Sequence, residues 1–198
     1  PERAARDSGV DLTTGEHFVA NYKPDVNLSM KVFKTIADPF IGKYSLVKVL
    51  TGVLRADSEL FNTGKEVEEN SGKIYVLRGK EAIEVSELRP GDIGAMAKLN
   101  ETETGDTLAR KQAPILYNAP QISKPYTYKA YVAKNKGDED RIASGLAKLM
   151  EEDRTLRAEV DAENRQSLLY GIGDQQLDIV VSKLASRYKA EIVLEKPK

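Results

Sequence analysis

The sequence contains no cysteine and no tryptophan, and His17 is its only histidine. Without cysteine the chain can form neither a disulfide framework nor a thiolate zinc site. His17 stands in a polar segment with no predicted carboxylate to orient it, so we expect it on the surface rather than in a metal centre or catalytic triad. No apolar run approaches the roughly 20 residues that a membrane-spanning helix needs. We therefore expect a soluble, cytoplasmic protein with no membrane partner.

Charge is nearly balanced, with 30 basic and 31 acidic side chains among 198 residues. The balance persists when the chain is divided near residue 120, so neither part is a basic domain that would coat nucleic acid by electrostatics alone. Any contact with RNA must then be local. The composition, 40% hydrophobic and 31% charged, is typical of folded globular domains.

The pattern of apolar residues divides the chain into parts. Residues 1–26 are polar without a sustained period, which predicts a linker or the remnant of something preceding. Residues 27–118 contain many short apolar stretches bounded by Gly, Pro, Asp or Asn, and no helical period occurs between Leu28 and Leu108. These features favour a small closed all-β barrel.

Details of the barrel follow from period-2 alternation. Its first strand alternates Leu28, Met30, Val32 and, less strictly, Phe33 with polar residues. Gly52, inside the next β-rich run, predicts a bulge or corner. The later stretch "ARKQAPILYNAPQISKP" holds three prolines without a helical period and is predicted to connect two domains.

Residues 119–198 follow a different plan. A strand precedes "EDRIASGLAKLMEED", which places Ile142, Leu146 and Leu149 on one helical face. Two strands, a second amphipathic helix and a closing strand complete the order β-α-β-β-α-β, the ferredoxin-like plan. The sequence therefore predicts a multidomain chain in which an all-β barrel precedes an α+β ferredoxin-like domain.

Two short motifs resemble nucleotide sites but lack their partners. The Gly-x-Gly turn at Gly171 precedes a helix, where backbone N–H groups could hold a phosphate, but the dinucleotide fingerprint needs a glycine where Gln176 stands. "NKGD" at Asn135 matches a guanine-specificity motif, but no Gly-Lys pair is followed by Ser or Thr, as a phosphate loop requires. We expect a tight strand-to-helix turn at the first and helix capping by Asp138 at the second. The carboxylate run beginning at Glu151 is expected to be solvated.

Long stretches of the chain resemble the bacterial elongation factor G family, the translocases among the translational GTPases. "VFKTIADPFIGKYSLVKVLTGVL" and "GKIYVLRGKEAIEVSELRPGDIGAMAKLNETETGDTL" resemble its β-barrel second domain. "EEDRTLR" and "YGIGDQQLDIVVSKL" resemble its ferredoxin-like third domain. The resemblance implies a central fragment without a catalytic, cofactor or metal site of its own. GTP, with Mg²⁺, would bind a guanine-nucleotide domain that precedes the barrel, so that the parent protein is a GTPase.

The resemblance also implies what the segment contacts. Its partners would be the ribosome, through small-subunit rRNA and ribosomal protein, and the GTPase and distal domains of the parent protein; the fragment itself would be a monomer. It would dock on the ribosome during translocation and couple the GTPase domain to the distal domains. The candidates for rRNA contact are Lys43, after the "ADPFIG" bend, and Arg78 and Lys80, which flank Gly79. Arginine can form two bonds to a phosphate, and lysine supplies a point charge.

In the third domain the family's turn typically reads Gly-Met-Gly-Glu-Leu-His-Leu-Glu, whereas this chain has "GIGDQQLD". The resemblance implies that Gly171, Gly173, Asp174 and Gln176 form an interdomain region, near which the family's inhibitor fusidic acid binds. Gln176 replaces the histidine, so inhibitor sensitivity is not carried over, and a divergent paralogue in ribosome protection or recycling is one alternative. A free-standing RNA-binding protein, with aromatic residues such as Tyr128 on its first strand, is the other.

Overall fold

The structure is a computed structural model that describes residues 7–38, 42–79 and 81–198. It consists of two compact units, residues 1–120 and 121–198. The strands of the first unit are β1 (Ser8–Asp11), β2 (His17–Val19), β3 (Ser29–Asp38), β4 (Gly42–Thr51), β5 (Leu54–Arg55), β6 (Glu59–Asn62), β7 (Val67–Asn70), β8 (Ile74–Arg78), β9 (Glu81–Val85), β10 (Glu87–Leu88), β11 (Ile93–Ala97), β12 (Thr107–Ala109) and β13 (Ile115–Tyr117). The elements of the second unit are β14 (Thr127–Ala133), α1 (Glu139–Glu152), β15 (Arg157–Asp161), β16 (Gln166–Gly171), α2 (Asp174–Tyr188) and β17 (Ile192–Glu195).

The first unit is built on one antiparallel sheet of eight strands in the order β7-β6-β12-β3-β4-β11-β8-β9. Its alternating inward residues enclose one apolar core, which includes Met30, Val47, Ile74, Met96 and Leu108. The predicted all-β barrel is confirmed. Within the described residues no pairing joins β7 to β9, so hydrogen bonding does not complete the closed ring that the sequence predicted.

A β-bulge in β3 changes which residues face the core. Met30 and Val32 are buried, but the register with β4 shifts between Val32 and Lys34, and the next buried residue is Thr35. Because side chains alternate with a period of two, one extra residue moves the following set to the opposite face. Phe33 occupies the bulge and is 45% exposed. Its predicted place with the inward residues was therefore wrong.

The predicted corner at Gly52 is confirmed, since this residue directly follows β4 with a φ of +67°. A Cβ here would lie 2.6 Å from the backbone of Leu28. Both the backbone angle and the close approach favour glycine.

The segment predicted to be a linker contains two strands. β1 pairs with β2 and also with β13, which lies in the predicted connector, so that the three strands form a separate sheet. This sheet buries Leu50, Ile115 and Tyr117 together. Strands of three or four residues show too little alternation to be detected, and β13 is about 110 residues away from β1 in the chain.

A buried hydrogen bond links β13 to strand β3 of the barrel. The hydroxyl of Ser29 is hydrogen-bonded to Thr51 Oγ1 at 2.6 Å and to the Tyr117 hydroxyl at 2.7 Å. Burial raises the pKa of Tyr117 to about 12. The phenol is therefore held in its neutral form inside the unit.

The second unit confirms the predicted βαββαβ order. Its four strands are antiparallel in the order β15-β16-β14-β17. The helices α1 and α2 pack on the sheet through Leu146, Leu149, Leu177 and Leu184, which are buried in one core with Leu169 of β16. Neither helix in the described part of the chain is long and apolar enough to cross a membrane.

The predicted helix cap differs from the structure. Asp138 occupies the N-cap position of α1, but its side chain makes no capping hydrogen bond. It accepts a bond from Asn135 Nδ2 at 3.4 Å and forms an ion pair with Arg141 at 3.2 Å instead. The arginine one turn into the helix competes with the backbone N–H groups for the carboxylate.

We predict that Tyr117→Phe lowers the free energy of unfolding of the first unit by about 1 kcal/mol at neutral pH, because one buried hydrogen bond is lost. The wild type should lose further stability above about pH 10, where the unfolded phenol ionises while the folded one stays neutral up to about pH 12. The variant lacks this contribution, so the two proteins should converge as pH rises. Urea unfolding at neutral and alkaline pH measures both effects. Tyr75→Phe, at a half-exposed ring, is the control for the loss of stability at neutral pH.

Candidate functional site

The two candidate cations of the barrel that the structure describes lie far apart. Lys43 is the second residue of β4, is half-buried and accepts a backbone bond from Lys98 through its carbonyl. Arg78 is the last residue of β8 and is exposed. The registers through β11 place them six residues apart along the strands, which corresponds to roughly 20 Å. The structure therefore does not bring them into one site.

Arg78 begins the hairpin turn between β8 and β9. The register pairs it with Glu81, and its guanidinium forms an ion pair with the Glu81 carboxylate at 3.1 Å. Gly79 has a φ of +63°, as a two-residue turn requires. Lys80 lies outside the described residues. Because Arg78 and Glu81 are both largely exposed, water screens their attraction and the arginine can exchange this partner for another.

The glycine turn of the second unit requires one of its two glycines. A Cβ on Gly171 would lie 2.5 Å from Oε1 of Gln176 and 2.8 Å from Leu177. Gly171 therefore allows α2 to approach β16 closely, the role that the dinucleotide fingerprint gives to another glycine. Gly173 is the N-cap residue with a φ of 176°, which is extended backbone, and a Cβ there would meet no atom within 4 Å. The predicted tight turn is thus present, and Gly171 is the glycine on which its packing depends.

The side chain of Gln176 uses both ends of its amide. Its Oε1 accepts a bond from the backbone N–H of Ile172 at 2.7 Å. Its Nε2 donates to Asp153 Oδ2 and to Thr155 Oγ1, both at 2.7 Å. We call Asp153, Thr155, Ile172 and Gln176 the amide network. It joins the turn after α1 to the turn that begins α2.

The Asp153 carboxylate is the charged member of the amide network. Thr155 donates to its Oδ1 from the hydroxyl at 2.6 Å and from the backbone N–H at 3.0 Å. Burial alone would raise the pKa of Asp153, but the bonds from Thr155 and Gln176 outweigh it, so the pKa lies below its usual value. The network therefore holds a partly buried negative charge at neutral pH.

Asp174 occupies the N-terminus of α2, where a phosphate would otherwise bind. Its carboxylate lies 3.4 Å from Lys129 Nζ and accepts a bond from the Thr127 hydroxyl at 3.4 Å. An acidic residue in the first turn is favoured by the helix dipole and would repel a phosphate. Asp174 thus links the start of α2 to strand β14.

The role of the carboxylate run beginning at Glu151 differs from the prediction. Glu152 is 11% exposed and forms an ion pair with Arg187 at 3.1 Å, while Asp153 belongs to the amide network. These two residues are not solvated charges. The Asp-x-Thr spacing of Asp153 and Thr155 was the available signal, since an Asp side chain often accepts the N–H two residues later.

The aromatic first strand of the second unit does not form a free stacking surface. Tyr128 stacks on Tyr170 with ring centroids 5.1 Å apart and an interplanar angle of 28°. Tyr131 packs against the helical side of the sheet. Tyr126, just before the strand, is 77% exposed and has the open ring that base stacking would use.

We predict that Gln176→Ala lowers the stability of the second unit by about 1–3 kcal/mol, because Ile172 and Asp153 lose a partner. The loss should be smaller below about pH 4. The lowered pKa of Asp153 in the folded state contributes stability at pH values above the pKa of the unfolded state, and this contribution disappears as the carboxylate becomes protonated. Urea unfolding followed by far-UV circular dichroism of α1 and α2 measures this. Gln175→Ala, at an exposed neighbour in α2, should change stability by less than about 0.5 kcal/mol. An equal loss in both variants would contradict the assigned role.

Comparison with known proteins identifies the family of both units. Residues 27–111 match the family model for elongation factor G domain 2, and residues 122–196 match that for elongation factor G domain III. A crystal structure of a protein from Thermus thermophilus matches with a TM-score of 0.76 and 27% identity over 88% of this chain. The match covers 26% of that protein, so this chain spans about a quarter of its length. The chain belongs to the elongation factor G family and carries the second and third domains of that family in order.

Proposed function

We propose that these two domains are the ribosome-docking and coupling part of a translational GTPase that promotes translocation in the cytoplasm. GTP and Mg²⁺ would bind a separate guanine-nucleotide domain of the same protein. The partners would be small-subunit rRNA, ribosomal protein, and the GTPase and distal domains. The observation that carries the proposal is the consecutive match to domains 2 and III, which together cover most of the chain.

Docking through the barrel is supported by the hairpin that joins β8 and β9. Arg78 is exposed near its tip, and its ion pair is with an exposed glutamate. A guanidinium in this position can contact a phosphate without reading the base sequence. Lys80 adjoins it in the sequence, whereas Lys43 lies at the opposite end of the sheet and would belong to a separate contact.

Coupling through the third domain is supported by the amide network, because it fixes the position of the α2 N-terminus relative to α1. Gln176 donates two bonds and accepts one. A neutral histidine offers one donor and one acceptor, so the family's usual residue could not form all three bonds. This difference favours a second candidate function, a divergent paralogue acting in ribosome protection or recycling, in which the junction is held more rigidly.

We predict that Arg78→Glu/Lys80→Glu weakens binding of the chain to purified small ribosomal subunits. The slope of log affinity against log salt should fall by about one for each phosphate that the variant no longer neutralises. Glu81→Gln should strengthen binding, because it releases Arg78 from its ion pair. Fluorescence anisotropy of the labelled chain over a potassium chloride series measures both quantities.

The matched control is Lys73→Glu/Lys111→Glu, which changes the net charge equally at exposed lysines of the same unit that pair with Glu84 and Glu68. Docking by the hairpin requires that this control retains affinity within about twofold. Equal weakening in both double variants, or no weakening in the hairpin variant, would remove Arg78 and Lys80 from the interface. In a separate experiment, translocation and recycling assays on the full-length protein distinguish the two candidate functions.

A further inference from the structure

One groove in the second unit is not accounted for by the amide network or by the glycine turn. It lies at the end of the sheet where β14 finishes, and it has a volume of about 780 Å³. The end of β14, the start of α1, the β15–β16 turn and the chain after β17 surround it. We call it the basic groove, because five cations line it: Lys134, Lys136, Arg165, Lys196 and Lys198.

The lining of the basic groove carries a net positive charge, with five cations against two acidic residues. Glu139 and Glu195 are the acidic residues that line it. Lys134 forms an ion pair with Glu191 at 2.7 Å. Across the described part of the chain, no side-chain partner accompanies Lys136, Arg165 or Lys196, and all three are exposed. Cations from separate segments that converge on one concave surface focus a positive potential there.

The one amide side chain that lines the basic groove is already occupied. Gln166 donates to Asp161 at 3.3 Å and accepts the backbone N–H of Lys198 at 3.2 Å. Ser167 is the cross-strand partner of Tyr131, and both residues line the groove. Much of the remaining wall is apolar, including Val132 and Val160. The groove therefore offers charge, whereas its amide side chain, which could identify a base, is engaged with protein partners.

At this position β14 extends beyond its pairing with β16. β14 pairs with β16 only as far as Tyr131, whereas Val132 and Ala133 pair with β17 alone. One edge of these last two residues, which both line the groove, thus lies outside the strand pairing.

We propose that the basic groove binds the phosphate backbone of RNA, without base specificity. Arginine and lysine at an open groove provide the contacts that position a nucleic acid backbone. The choice of RNA over an acidic peptide rests on the proposed function. The site is distinct from the β8–β9 hairpin, since all its residues belong to the second unit.

The test uses the full 198-residue chain and a labelled RNA hairpin of about 16 base pairs, the span of a small duplex-binding domain. Fluorescence anisotropy is measured over a salt series for the wild type, for Arg165→Glu/Lys196→Glu and for the control Lys124→Glu/Lys148→Glu. The control changes the net charge equally at exposed lysines of the same unit that do not line the groove. We expect the groove variant to lose at least about tenfold in affinity and about two in salt slope, and the control to stay within about twofold.

Three results would overturn the proposal. The first is no RNA binding by the wild type at low salt, and the second is equal weakening by the groove variant and its control. The third is groove-dependent binding of a labelled polyglutamate peptide without binding of RNA, which would assign the groove to an acidic protein. Circular dichroism of both variants confirms that the unit is folded. Since the hairpin variant Arg78→Glu/Lys80→Glu is measured on small ribosomal subunits, failure of either site can be recognised separately.

Discussion

The hydrogen bonds of one glutamine side chain fix the junction on which the ferredoxin-like unit depends. The amide of Gln176 reaches Asp153, Thr155 and Ile172 next to Gly171, where a Cβ would lie 2.5 Å from its Oε1. Glycine and glutamine therefore act as one constraint. It sets the start of α2 against β16, and from this start the buried face of α2, with Leu177 and Leu184, meets the core.

Much of the fold could be predicted from the sequence, because its longer elements have clear periods. α1 and α2 repeat their apolar residues with helical spacing, the first part of β3 alternates apolar with polar residues, and β4 is rich in β-branched and aromatic residues. The failures have two physical causes. β1, β2 and β13 are too short to show a period, and pairing between distant segments leaves no local signal. The bulge at Phe33 was missed because inserted residues break the alternation on which the prediction rests.

Less of the candidate site was predictable, for reasons that differ by residue. The glycine turn was located because Gly-x-Gly before an amphipathic helix is a local signal, but the partners of Gln176 come from a turn more than 20 residues earlier. The ion pair that draws Asp138 away from its capping role depends on a side-chain competition that propensity does not describe. The basic groove has no counterpart in the sequence, because its cations are dispersed over the chain and the net charge is near zero.

The pairing of β1 with β13 also has a consequence for the order of folding. Gly9 and Tyr117 are partners in this pairing, and nearly the whole barrel lies between them in the sequence. Bringing them together before the barrel has formed therefore has a large cost in loop-closure entropy. The barrel hairpins, such as β8–β9, join residues only a few positions apart and can form early. We therefore expect the three-stranded sheet of β1, β2 and β13 to form late in folding, after the barrel.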